Sequence, residues 1–136
     1  MTFVVDSSVA LSWCFEDERS PTSLAALERI ASTGAVAPSL WVLEVLNGLA
    51  MAQRRGRIDS AQRQTLAGFL RELPIDLDDA TAAQAWTATA RVAERFGLSV
   101  YDASYLELAQ RRELPLATLD RELLRAAPSA GVRLFE

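Results

Sequence analysis

The chain has 136 residues, half of them apolar and about a quarter charged, with a net charge of −4. Such a composition and length imply one globular domain over residues 1–136 and argue against disorder. The longest apolar run, Val9 to Phe15 with Ser12 inside it, is too short to cross a bilayer, so no membrane role is expected. There is no His, and all 14 basic residues are Arg, so histidine catalysis, zinc–histidine sites and lysine chemistry are excluded. Met1 leads directly into TFVVD without a signal-peptide pattern, and the single Cys14 sits among apolar residues as a packing group; a cytoplasmic protein is expected. The acidic balance argues against gripping nucleic acid by bulk charge. Acids clustered around divalent cations would remove that objection.

In chain order, Thr2–Val5 reads as a short strand ending at Asp6, and SSVALSWCF as a short helix. Ser20 caps a helix that takes Pro21 at its first position and runs to about Thr33, before Gly34. AVAP (Ala35–Pro38) is a buried strand, and Ser39 is expected to cap the helix that carries Glu44 and ends near Arg55-Gly56. Asp59 with Gln62 forms a capping-box pattern for the next helix, which closes before Pro74. PIDLD (Pro74–Asp78) alternates as a strand, Asp79 opens a long helix stopped by Gly97, and Ser99–Arg112 is another helix. PLATL, a short helix over Arg121–Ala127 and a last strand GVRLF complete the chain. Short apolar strands alternating with helices imply βαβ units, hence an α/β fold with a mostly parallel central sheet of about four or five strands between helical layers. Ligands of such sheets sit at the carboxyl ends of the strands, where Asp6 and Asp120 fall.

Four carboxylates stand out. Asp6 and Asp120 each follow a strand and precede a helix, a position that suits an N-cap or a ligand equally. Asp102 lies three residues after Ser99, as in a capping box. Glu44 lies inside PSLWVLEVLNGLAM, an almost wholly apolar stretch that reads as a core helix. An unpaired ionised carboxylate there is costly, so an Arg partner, a raised pKa or a metal ion is required. Four acids converging without Lys or His cannot neutralise one another. A hard divalent cation such as Mg²⁺ or Mn²⁺ would resolve the repulsion and suits metal-assisted phosphodiester hydrolysis.

VVDSS, PSLWVLEVLNGL, YDASYLELA and LATLD together resemble the PIN-domain ribonucleases, and more narrowly the VapC-type toxins of bacterial type II toxin–antitoxin pairs. The motifs occur in the family's order and spacing and span nearly the whole chain. The resemblance implies a PIN-like three-layer α/β sandwich and Mg²⁺- or Mn²⁺-dependent endoribonuclease activity leaving 5′-phosphate and 3′-hydroxyl ends. It also implies a homodimer and a cognate antitoxin partner. On it, Asp6, Glu44, Asp102 and Asp120 take the four acidic metal-binding positions, with Thr118 and Ser7 or Ser8 as neighbouring hydroxyls. The family often has Asn before the last Asp and a second Asp two residues after it. Here Leu119 and Glu122 stand in those places, so Glu122 is either a support for a second metal or an exposed first-turn acid.

Arg121, beside Asp120, is the candidate phosphate contact. Arg54, Arg55 and Arg57, and likewise Arg111 and Arg112, lie at helix C-termini and read as dipole partners or as steering charges for RNA. Trp41, Trp86, Tyr101 and Tyr105 read as core packing, with a partner groove the alternative for the tryptophans and base stacking for the tyrosines. The apolar faces of residues 20–33 and 39–55 are where an antitoxin segment would dock. A catalytically silent PIN fold acting as an interaction module is the alternative function. A HAD-like phosphate-transfer domain is a weaker one, because a second Asp two residues after Asp6 is missing, and a receiver domain fails for want of lysine.

Overall fold

The computed structural model describes residues 1–136. Its strands are β1 (Val4–Val5), β2 (Ala35–Pro38), β3 (Ile75–Asp78) and β4 (Leu116–Ala117). They form one sheet in the order β3-β2-β1-β4 with every pairing parallel. The apolar character of β1, β2 and β4 matches their burial, since a parallel sheet is covered on both faces, whereas the edge strand β3, IDLD, is exposed at Asp76 and Leu77. The expected last strand is reduced to one parallel bridge, Leu134 to Leu116, flanked by hydrogen bonds from Leu116 N to Arg133 O and from Phe135 N to Leu116 O, each 2.9 Å.

The helices are α1 (Ser7–Cys14), α2 (Pro21–Thr33), α3 (Trp41–Arg54), α4 (Ser60–Glu72), α5 (Thr81–Gln84), α6 (Ala90–Phe96), α7 (Val100–Arg112) and α8 (Arg121–Ser129). The order 3-2-1-4 means that the chain steps outward from β1 through β2 to β3, then returns to pair β4 on the other side of β1. Right-handed crossovers therefore put α1 to α4 on one face and α5 to α7 on the opposite face. This is the sandwich of the sequence reading. α7 lies over β1, β2 and β4, and Tyr105, Leu106 and Leu108 from it are fully buried.

Several local expectations hold. Ser20 and Ser23 form a reciprocal capping box at the start of α2, as Asp59 and Gln62 do for α4. Gly34, which ends α2, has φ +67° and ψ −176°, a conformation open only to glycine. A Cβ there would also sit 3.0 Å from the Pro74 carbonyl oxygen.

Other expectations fail for stateable reasons. Ser39 does not cap α3; its N–H donates to Thr81 Oγ1 at 3.0 Å, and Leu40 takes the N-cap position with no side-chain bond. Because α3 starts at Trp41, Glu44 lies in its first turn and is only half-buried. The helix is two-faced: Trp41, Val45, Leu49 and Ala52 face the core, while Leu43 is 71% exposed. The long helix after β3 begins at Thr81 and widens into a π turn at Ala85–Thr89. That turn resets the helical face, so Thr89 is buried and Trp86 is 88% exposed, against its core reading. Arg111 and Arg112 are not free for RNA. They clamp the buried Asp78 carboxylate of β3 at 2.7 and 2.9 Å, and Arg111 also bonds Glu107 at 2.8 Å. Burial alone would raise the Asp78 carboxyl, but hydrogen bonds from the two arginines hold it down to about 2. Arg57 is likewise engaged, with Asp17 and Glu18 and over the Phe15 ring.

Candidate active site

The strand order makes β1 and β4 neighbours that run away from each other in topology, which is the switch point of the sheet. Asp6 follows β1 and Thr118 follows β4, one position beyond the paired residues Val5 and Ala117. Asp6 is buried, and both oxygens of its carboxylate are hydrogen-bonded. Oδ1 accepts from Val9 N at 3.0 Å and from Ser8 Oγ at 2.7 Å, and Oδ2 accepts from Thr118 Oγ1 at 2.5 Å. The N-cap reading of Asp6 therefore holds, and the same carboxylate lies at the carboxyl edge of the sheet. Burial pushes its carboxyl up to about 6 against these hydrogen bonds, with the Asp120 charge adding to the rise.

Thr118 works in both directions, since its Oγ1 accepts from Asp120 N at 3.0 Å while donating to Asp6. Ser8 repeats the pattern, donating to Asp6 and accepting from Leu119 N at 2.9 Å. Two hydroxyls thus lock the end of β1 to the turn after β4. Asp120 caps α8 through Oδ2, which accepts from Leu123 N at 3.0 Å.

The other two acids arrive from opposite faces of the sheet. Both α3, which follows β2, and α7, which leads back to β4, have their N-termini at the carboxyl edge, and Glu44 and Asp102 lie in their first turns. Ser99 caps α7 by accepting from Asp102 N at 3.1 Å, and no reciprocal bond from the Asp102 side chain completes a capping box. Burial raises the Asp102 carboxyl, and the charges of Asp120 and Glu44 raise it further. All four sequence-predicted acids thus sit at helix N-termini around one edge, where the helix dipoles partly offset their mutual repulsion. None of the four takes part in an ion pair.

Glu44 instead meets Tyr105, whose buried hydroxyl donates to Glu44 Oε1 at 2.5 Å. Burial, with Glu44 beside it, raises the phenol above its ordinary range, so it remains a donor. The sequence reading took Tyr105 as core packing, with base stacking as the alternative, and did not foresee the bond to Glu44. Its place three residues after Asp102, on the same helical face, was the available signal. Of the supporting candidates, Ser7 neighbours the Tyr105 hydroxyl and Arg121 is exposed beside Asp120. Glu122 is exposed and paired with Arg125 at 2.7 Å, as a first-turn surface acid, although its charge still bears on Asp102. The donor set is all carboxylate oxygen and suits a hard divalent cation. No three of these groups are drawn close enough to form a preassembled cage.

The family model for the PIN domain matches residues 3–128. The chain belongs to the PIN-domain family. Its relatives place it within the VapC type. It is 36% identical over 104 residues to Ribonuclease VapC3 of Mycobacterium tuberculosis, covering 75% of this chain and 72% of the relative. A crystal structure from Pyrobaculum aerophilum is similar with a TM-score of 0.67 and 28% identity, covering 92% of this PIN domain and 85% of that chain. VapBC2 from Rickettsia felis, solved bound to a DNA fragment from its promoter, shares the fold with a TM-score of 0.69 at 17% identity, over 98% and 97% of the two chains.

Proposed function

We propose that this PIN domain is a divalent-metal-dependent endoribonuclease, the toxin of a toxin–antitoxin pair, with Asp6, Glu44, Asp102 and Asp120 as its metal-binding and catalytic carboxylates. The observation that carries the reading is that these four acids line one edge at the switch point of the sheet with no cationic side chain paired to them, and that burial and the neighbouring acidic charges raise the Asp6 and Asp102 carboxyls. Bound Mg²⁺ or Mn²⁺ would supply a Lewis acid and a water of lowered pKa for in-line phosphodiester hydrolysis. Thr118 and Ser8 hold Asp6 rigid, and Thr118 also fixes the backbone from which Asp120 projects. The helix N-termini around the edge favour an anionic substrate. Arg121 is the proposed contact to a phosphate of RNA, a role its exposure next to Asp120 supports.

The names of the relatives support the ribonuclease assignment. The antitoxin assignment is supported by fold neighbours solved as toxin–antitoxin complexes. An apolar groove of about 660 Å³ between α3, α4 and β3, floored by Trp41, Val45, Leu70 and Ile75, offers a place for a protein segment. The same proposal includes a homodimer and a cytoplasmic setting. No helix is long and apolar enough to cross a membrane.

The test is cleavage of a structured RNA by purified protein with and without Mg²⁺ or Mn²⁺, with end mapping of total RNA after induction. Cleavage that needs the cation, leaves 5′-phosphates and is lost in Asp6→Asn is the expected result. Undiminished cleavage in excess EDTA would overturn the metal assignment.

A further inference from the structure

We propose that Tyr105 is a positioning residue for Glu44: its buried hydroxyl fixes one carboxylate oxygen so that the other faces the acidic edge in a single orientation. This rests on the nuclease reading above and deepens it. Glu44 has a flexible side chain in the first turn of α3, only half-buried, and it lacks the surrounding hydrogen bonds that hold Asp6. Its one protein partner is the Tyr105 hydroxyl, which comes from the opposite face of the sheet, 61 residues away in sequence. The tyrosine itself is enclosed by the core. Its ring is 1% exposed within α7, the helix that also presents Asp102 three residues earlier. The Ser7 hydroxyl, on the residue after Asp6, neighbours the phenolic oxygen. One phenol therefore relates the position of Glu44 to α7 and to the start of α1, the helices that carry Asp102 and Asp6.

A phenol has a single proton to donate, and it is spent on Glu44 Oε1. Oε2 has no protein partner. Hydrogen bonds to a charged group are shorter and stronger than neutral ones, and they restrict a side chain whose rotamer freedom would otherwise have to be lost when a ligand binds. Groups that orient a ligating residue in this way typically change metal affinity by about 10–100-fold when removed.

The experiment is a Mn²⁺ titration of the full chain, read by the electron paramagnetic resonance signal of free Mn²⁺. It compares wild type, Tyr105→Phe, Glu44→Gln and the double variant, with near-UV circular dichroism to verify the fold. Tyr105→Phe is expected to weaken Mn²⁺ binding by about 10–100-fold. In the Glu44→Gln background the same change should cost less than about 2-fold, because its effect passes through Glu44. Ser7→Ala leaves the ring in place and should weaken binding by a few-fold, again only while Glu44 is present; it serves as the test if Tyr105→Phe does not fold. Wild-type affinity in the hydroxyl-deleted variants, or a loss that persists undiminished beside Glu44→Gln, would overturn the proposal while leaving the nuclease reading intact. A folded wild type that binds no Mn²⁺ would overturn both.

Discussion

Asp6 is the best place to test the electrostatics of the edge, because it is buried and accepts three hydrogen bonds and yet its carboxyl is raised from 3.8 to about 6. The gap spans about two pH decades, and at about 1.36 kcal/mol each it amounts to roughly 3 kcal/mol. The sign follows from the direction. The metal-free fold binds the Asp6 proton more tightly than the unfolded chain does, so Asp6 favours folding most below about pH 3.8 and progressively less as the pH rises to about 6. At neutral pH its ionised form is a cost to the fold. In Asp6→Asn nothing needs to be desolvated as an ion. The amide oxygen can still accept from Val9 N and Ser8 Oγ, and Thr118 loses its acceptor, a loss of about 1 kcal/mol. The variant should therefore be more stable than wild type by about 2 kcal/mol at pH 7.5 in EDTA, and its stability should change less between pH 4 and pH 6. Urea unfolding followed by circular dichroism at both ends of that range measures this. If Asp6→Asn is less stable than wild type at pH 7.5, or if the metal-free wild type gains stability from pH 5 to pH 7.5, the account of Asp6 is wrong.

Three further expectations come from named contacts. Asp78, held at about 2 by Arg111 and Arg112, stabilises the fold above about pH 4, and the contribution is lost as the pH falls toward 2; Asp78→Asn should cost about 3 kcal/mol in urea unfolding at pH 7. Thr118→Val removes both the donor to Asp6 and the acceptor for Asp120 N, so cleavage should fall by about 10–100-fold, with the acid limb of the pH–rate profile moved to higher pH. Gly34→Ala forces a glycine-only conformation and meets the Pro74 carbonyl, so thermal unfolding should show a loss of about 1–3 kcal/mol.

The sheet and the site edge were legible because both are carried by local signals. Short apolar strands, caps and Pro/Gly stops placed Asp6 and Asp120 after parallel strands, and the switch-point rule brought those strand ends together. What was illegible depended on contacts between distant residues. The partner of Glu44 is a tyrosine 61 residues on, chosen by the packing of α7 across the sheet and not by any pattern near Glu44. Arg111 and Arg112 looked like free charges at a helix end because their partner Asp78 lies on an edge strand more than 30 residues earlier. Trp86 looked buried because an unbroken α-helix was assumed, and the π turn changes which residues face inward. Glu44 looked mid-helix because the apolar stretch Pro38–Met51 reads as one element, whereas α3 begins only at Trp41.

The pairing of Asp6 with Thr118 joins two residues 112 positions apart, one near each end of the chain. β1 is synthesised before β4, so Asp6 waits for its hydroxyl partner, and for Asp120, until the chain has been made through residue 120. On the proposed function, a nascent chain that has not yet reached Asp120 has an incomplete site and should not cleave the RNA around it. The same holds for one truncated before residue 116, which would lack β4, Thr118 and Asp120. The order of translation then serves as a safety catch that the topology of the sheet provides without any added regulator.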